Sequence, residues 1–184
     1  MYVNSARFYL CRIKKMFPER IFIIGYMCSG KSSISRKLAS RLGYNSFDTD
    51  DLFEEKYHVS VNDFFEKYGE DYFRKFEAEI LRKTGDLRKV VISTGGGTPC
   101  YYDNMKWMKD NGMTVFIKVS PTTAYNRLVT AKRKRPIVNG KTSDELMRYI
   151  ETHYGSRLPY YEQAELTVKG ENFNIEKLLE ILDA

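Results

Sequence analysis

Residues Ile21-Phe22-Ile23-Ile24-Gly25-Tyr26-Met27-Cys28-Ser29-Gly30-Lys31-Ser32-Ser33 decide the fold class of this chain. The first four form a short, wholly apolar run, as expected of a strand buried on both faces of a parallel sheet. The rest match the phosphate-binding loop pattern: Gly25, four residues, Gly30, then Lys31 and Ser32. Beyond the loop, Ile34, Leu38, Ala39 and Leu42 recur at helical spacing, so the loop lies between strand and helix. Gly25 and Gly30 permit backbone angles that side chains forbid, which lets successive amides converge on one anion. The following helix points its unpaired N–H groups and positive dipole end at the same place. Lys31 adds a full charge near the β- and γ-phosphates, and the Ser32 hydroxyl suits Mg²⁺. A chance match in a glycine turn would not bring strand, motif and amphipathic helix into register. The stretch predicts a nucleoside triphosphate site, with Mg·ATP as the ligand.

Composition limits the alternatives. A length of 184 residues suggests one domain with room for a substantial core. Hydrophobic residues make up 42% and charged residues 29%, an ordinary globular balance. No apolar run approaches the roughly 18 residues of a membrane span, so no membrane partner is expected. The formal charge of +6 suits nucleic acid, but an enzyme handling ATP and an anionic substrate wants the same sign. No nucleic-acid partner is expected. The three cysteines, Cys11, Cys28 and Cys100, have no ligand spacing, and an odd number argues against a disulfide framework. A reducing cytoplasm fits best. Cys28 reads either as a thiol activated by nearby amides or, preferably, as a small residue in a tolerant position. The two histidines, His58 and His153, have no metal-ligand company and are assigned no chemistry. Residues 1–19 precede the first strand as an extension with no assigned function; Met16 is an alternative start.

Other segments carry possible chemistry. Tyr44 to Phe47 reads as a strand ending in Asp48-Thr49-Asp50. Alternate residues of an extended segment face the same way, so Asp48 and Asp50 share a side at the sheet's carboxyl edge, where open α/β sheets bind ligands. Val61 to Tyr68 reads as a helix broken by Gly69, and Glu70 to Thr84 as a longer one. On the second, Arg74 and Glu77 stand three apart and share a face; alone they read as a surface ion pair of little value. Val90 to Ser93 is a buried-type strand leading to Gly95-Gly96-Gly97, which suits close approach of backbone to a ligand. Helices over Asp103–Asn111, Thr122–Ala131, Asp144–Tyr154 and Ile175–Leu182, with strands over Thr114–Val119 and Leu166–Val168, complete the pattern. Between two of these helices, Lys132-Arg133-Lys134-Arg135-Pro136 with Asn139 and Gly140 reads as a basic, mobile loop.

Taken together, GYMCSGKSS, FDTD, Phe73-Arg74-Lys75-Phe76-Glu77, STGGGTP, Arg135-Pro136-Ile137 and Arg157-Leu158-Pro159-Tyr160-Tyr161 are similar to the motifs of the shikimate kinase family. The resemblance runs from residue 20 to the end. It implies a single domain over 20–184 with a three-layer α/β/α phosphate-loop fold and a central parallel sheet of about five strands. A substrate-binding region over about 50–84 and a lid over about 130–143 are also implied. The implied activity is phosphorylation of the 3-hydroxyl of shikimate by ATP, with Mg²⁺ as cofactor and the protein a monomer.

The resemblance also assigns roles. Met27, Cys28, Ser29, Gly30, Lys31, Ser32 and Ser33 would hold the ATP phosphates, Ser32 would bind Mg²⁺, and Asp48 would reach the metal through water. Asp50 would take the proton of the attacking hydroxyl. Arg74 and Arg157 would clamp the substrate carboxylate, Glu77 would orient Arg74, and Gly95, Gly96 and Gly97 would line the sugar-like ring. Val61, Phe65 and Phe73 would wall the pocket. Lys31 would act on the transferring phosphoryl group, as would Arg135 when the lid delivers it; Arg127 or Arg133 would contact adenine. Two departures are mild: Lys-Ser-Ser stands for the commoner Lys-Ser-Thr, and Arg-Pro-Ile-Val for Arg-Pro-Leu-Leu. A kinase for another polyol acid such as gluconate is the rival within the fold. A nucleotide-dependent nucleic-acid module is the rival from another class, and it leaves Asp50, Arg74 and Arg157 unexplained.

Overall fold

The computed structural model describes residues 17–131 and 140–183. The apolar runs become the inner strands: β1 (Arg20–Ile24), β3 (Val90–Ser93) and β4 (Met113–Lys118) are almost wholly buried. The more polar β2 (Asn45–Asp48) and β5 (Leu166–Lys169) take the edges. Strand order is β2-β3-β1-β4-β5, with every pairing parallel. Alternate side chains of each inner strand enter opposite layers. Phe22, Ile24, Ile92 and Phe116 pack on one face against α4 (Asn104–Asn111), α5 (Pro121–Val129) and α6 (Ser143–Tyr161). Ile21, Ile23, Val91 and Val115 pack on the other against α1 (Lys31–Leu42) and α7 (Ile175–Asp183). This is the expected three-layer α/β/α arrangement. Among the described residues, no helix is long and apolar enough to cross a membrane.

A smaller core lies beside the sheet, between α2 (Thr49–Tyr57) and α3 (Val61–Lys83). Phe53, Phe64, Phe73 and Ile80 are buried there, with Phe53 in ring contact with both Phe64 and Phe73. Gly69 interrupts α3 with φ 81° and ψ 173°, as its position in the sequence predicts. The bend allows residues before and after it to face the same core.

Helix α6 differs from its expected length. It continues through Pro159 to Tyr161, rather than stopping near Tyr154. Burial of Tyr154 and Tyr161 against the sheet holds the last turns helical despite the proline. A capping box between Thr142 and Glu145 fixes its start.

Phe53 is 1% exposed at the centre of the small core. Phe53→Ala is expected to cost about 3–5 kcal/mol, measured by urea unfolding of the full chain. A loss under about 1 kcal/mol would show that α2 and α3 do not depend on this packing.

Candidate active site

The parallel pairing sets the carboxyl ends of three strands side by side. Asp48 is in register with Ser93, and Ser93 with Ile23, so the segments after β1, β2 and β3 emerge together. Each carries one of the motifs singled out from the sequence.

After β1, the phosphate loop folds over the amino end of α1. Gly25 has φ 142°, and a Cβ there would come within 2.7 Å of the Ile117 carbonyl oxygen. Gly30 has φ 98° and caps α1. Lys31 is buried, and its Nζ donates to the Tyr26 carbonyl at 2.9 Å. Ser32 Oγ donates to Asp48 Oδ2 at 2.7 Å, while Asp48 Oδ1 accepts from the Asp50 amide. Ser33 is exposed on the first turn of α1, and the Ser29 side chain is fully buried. Cys28 has φ 60°, a left-handed conformation that disfavours most side chains by about 1–2 kcal/mol. The position is therefore less tolerant than its sequence suggests. Arg127 Nη1 donates to the Cys28 and Ser29 carbonyls, and Nη2 to that of Gly170. The structure thus sets Arg127 against the phosphate loop. Arg133, Arg135 and most of the segment expected as a lid, about 130–143, lie outside the described residues.

After β3, the triple glycine turns beneath α3. Its demand is steric rather than conformational, because Gly97 has an ordinary φ of −92°. A Cβ on Gly97 would overlap the Arg74 guanidinium. One on Gly95 would lie 2.5 Å from Glu77 Oε1 and 3.2 Å from Asp50 Oδ1; one on Gly96, 3.5 Å from Arg157 Nη1. The turn is bonded on several sides. The Gly95 amide donates to Thr49 Oγ1, Tyr161 Oη donates to the Gly96 carbonyl, and Asn104 Nδ2 donates to that of Thr98.

Arg74 and Glu77 are not the surface pair that their spacing suggests. They are 6% and 2% exposed. Arg74 Nη1 donates to Glu77 Oε2 at 2.7 Å, and Thr98 Oγ1 donates to Glu77 Oε1 at 2.7 Å. Glu70, one turn earlier on α3, accepts from Arg74 Nε and Nη2 and from Tyr101 Oη. Burial alone would weaken the Arg74 charge, but Glu77 and Glu70 outweigh it and raise its pKa. Burial likewise pushes Glu70 up, and the Arg74 contacts reverse this and hold it below the usual carboxylate range. Glu70 is a site residue that the sequence reading missed, although its spacing of four from Arg74 is the signal that would have found it.

One cavity of about 380 Å³ unites these parts. Asp50, Arg74, Arg157 and the triple glycine all border it, and Met27 brings in the phosphate loop. Val61, Phe65 and Phe73 supply apolar wall, as expected. Arg157 is half-buried on α6, and among the described residues no carboxylate forms an ion pair with it. The cavity therefore presents the Arg74 and Arg157 guanidinium groups and the carboxylates of Asp50, Glu66, Glu70 and Glu77 around a glycine floor, with Glu70 and Glu77 already engaged by Arg74. That arrangement is chemically suited to a small hydroxylated anion.

Comparison with known proteins agrees with this chemistry. The shikimate kinase family model matches residues 27–183. A shikimate kinase of Phocaeicola vulgatus is 38% identical over 161 residues, spanning 88% of this chain and 92% of that protein. The crystal structure of shikimate kinase from Bacteroides thetaiotaomicron superposes with a TM-score of 0.87 at 38% identity, over 91% of this chain and 99% of that one. The Acinetobacter baumannii enzyme, solved in complex with shikimate, gives 0.77 at 26% identity, over 89% and 92% of the two chains. On its motifs, its cavity and these matches, the chain belongs to the shikimate kinase family.

Proposed function

We propose that this protein transfers the γ-phosphoryl group of ATP to the 3-hydroxyl of shikimate, giving 3-phosphoshikimate and ADP. The observation that carries the reading is the shared cavity of Asp50, Arg74 and Arg157 over the triple glycine, bordered by the phosphate loop. Arg74 and Arg157 hold the substrate carboxylate, for which planar, permanently charged groups are suited. Glu77 and Glu70 fix Arg74 beforehand, so little side-chain order is lost on binding. Asp50 accepts the proton of the attacking hydroxyl. The backbone of Gly95, Gly96 and Gly97 packs on the ring. Residues Met27 to Ser33 cradle the triphosphate with backbone amides, the Lys31 ammonium and the positive end of α1. Arg135, carried by the lid, adds charge at the transferring group.

Mg²⁺ fits the donors present. The Ser32 hydroxyl and Asp48 carboxylate lie together at 2.7 Å, both hard oxygen ligands at the edge of the phosphate loop. They would hold the ion, Asp48 through water, and bound metal would supply charge neutralisation for the phosphates. Two guanidinium groups favour shikimate over gluconate by matching a carboxylate fixed on a rigid ring. The reading further places the protein in the cytoplasm as a monomer.

The functional test is ADP release with ATP, Mg²⁺ and either shikimate or gluconate. Turnover with shikimate and none with gluconate is expected; the reverse preference would overturn the assignment. Asp50→Asn should lower kcat by about 10²–10⁴-fold while ATP affinity stays within about twofold. Retained turnover would remove Asp50 as base. Arg157→Ala should raise the shikimate KM by about 10–100-fold with little change in the ATP KM, as for loss of a charged hydrogen bond. Equal effects on both KM values would contradict its place on the carboxylate.

A further inference from the structure

Among the cavity's titratable side chains with no role in the transfer described above is an imidazole on α6. His153 borders the cavity from α6, one turn before Arg157, and the spacing of four puts both on one face. Its Nδ1 lies 2.9 Å from Tyr26 Oη, and the two rings meet edge to face with centroids 5.6 Å apart. Tyr149, a turn earlier, also borders the cavity, with its ring centroid 5.0 Å from the imidazole. Tyr26 is fully buried, and its carbonyl accepts the Lys31 ammonium. The imidazole is thus held between α6 and the phosphate loop, with one ring nitrogen engaged.

Its charge state follows from its neighbours. Burial first, then the Arg157 and Arg74 cations, depress the imidazole, opposed by the Glu70 carboxylate; the result is a pKa of about 4. The ring is neutral at pH 7, so it has one donor nitrogen and one acceptor. A neutral donor adds direction to an anion site without a further cation to repel the arginines.

We propose that His153 is a further substrate-binding residue: the Tyr26 hydroxyl donates to Nδ1, and Nε2–H donates to an oxygen of the bound acceptor beside Arg157. The inference rests on the reading of this cavity as the acceptor site. It gives the pocket, beside Arg74 and Arg157, a third side-chain donor for an oxygen-rich anion, locked in tautomer by a residue of the phosphate loop. The same bond links α6, which carries Arg157, to the loop that carries Lys31.

Asparagine and glutamine separate the two ring nitrogens, because the asparagine amide sits near Nδ1 and the glutamine amide reaches toward Nε2. Full-length wild type, His153→Leu, His153→Asn and His153→Gln are compared for kcat and for both KM values by ADP release. Shikimate affinity is measured separately by calorimetry. His153→Leu and His153→Asn should weaken shikimate about three- to tenfold, the size of one neutral hydrogen bond, with kcat and the ATP KM within about twofold. His153→Gln should restore most of the affinity. Unchanged shikimate affinity in His153→Leu would overturn the proposal, as would equal losses for ATP and shikimate, or rescue by asparagine rather than glutamine. Wild type that fails to turn over shikimate would sink the functional reading itself. An active wild type with indifferent variants would sink only the role of His153.

Discussion

The Arg74–Glu77 ion pair is the constraint on which the site depends. Removing two charges from water costs several kcal/mol per ion, and the pair offsets this only when its remaining donors and acceptors are satisfied. Here they are well supplied. Glu77 accepts from Arg74 and Thr98, while Arg74 also donates to Glu70 and lies near the rings of Tyr101 and Phe73. A packed apolar cluster would stabilise the same space as well or better. The pair makes physical sense as a device that presents one cation at a fixed place in the cavity wall. The glycines follow from it, since Gly95 must clear Glu77 and Gly97 must clear Arg74.

The sheet supplies the second requirement, which is to bring distant segments together. Parallel strands all end at one edge, so residues 25, 48 and 95 meet without long loops. The central position of β1 puts the phosphate loop between the segments after β3 and β4. Helix α6 then closes the cavity from the other side with Arg157. Its last turns stay helical through Pro159, which keeps Tyr161 in place to bond the Gly96 carbonyl at 2.5 Å. The cavity and the phosphate loop are therefore parts of one packed unit, as the proposed transfer between two bound substrates needs.

Much of this was legible in the sequence because the decisive signals are local. The apolar runs before Gly25 and Gly95 mark buried strands, the glycine-lysine-serine spacing marks the loop, and Gly69 marks the break in α3. Strand alternation places Asp48 and Asp50 at the sheet's carboxyl edge, but only Asp48 ends the strand; Asp50 lies in the first turn of α2, which Asp48 caps. What escaped is what depends on tertiary cover. Helical spacing shows that Arg74 and Glu77 share a face, but not that the glycine turn seals that face from water. Nor does local pattern show that Tyr26 meets His153, a contact between residues 127 apart. Cys28 reads as an unremarkable small residue until its backbone is seen in the left-handed region. Helix α6 runs past its expected end at Tyr154, because burial of Tyr154 and Tyr161 holds the turns around Pro159 helical.

The central claim is that the Arg74 and Arg157 guanidinium groups together read one carboxylate. Calorimetric titration of the wild-type protein with shikimate and with its methyl ester tests this most directly, because the ester keeps the ring and hydroxyls, removes the charge and adds a single methyl group. The account predicts that the ester binds at least about 100-fold more weakly, in line with losing charged hydrogen bonds to both arginines. Equal affinities would contradict it.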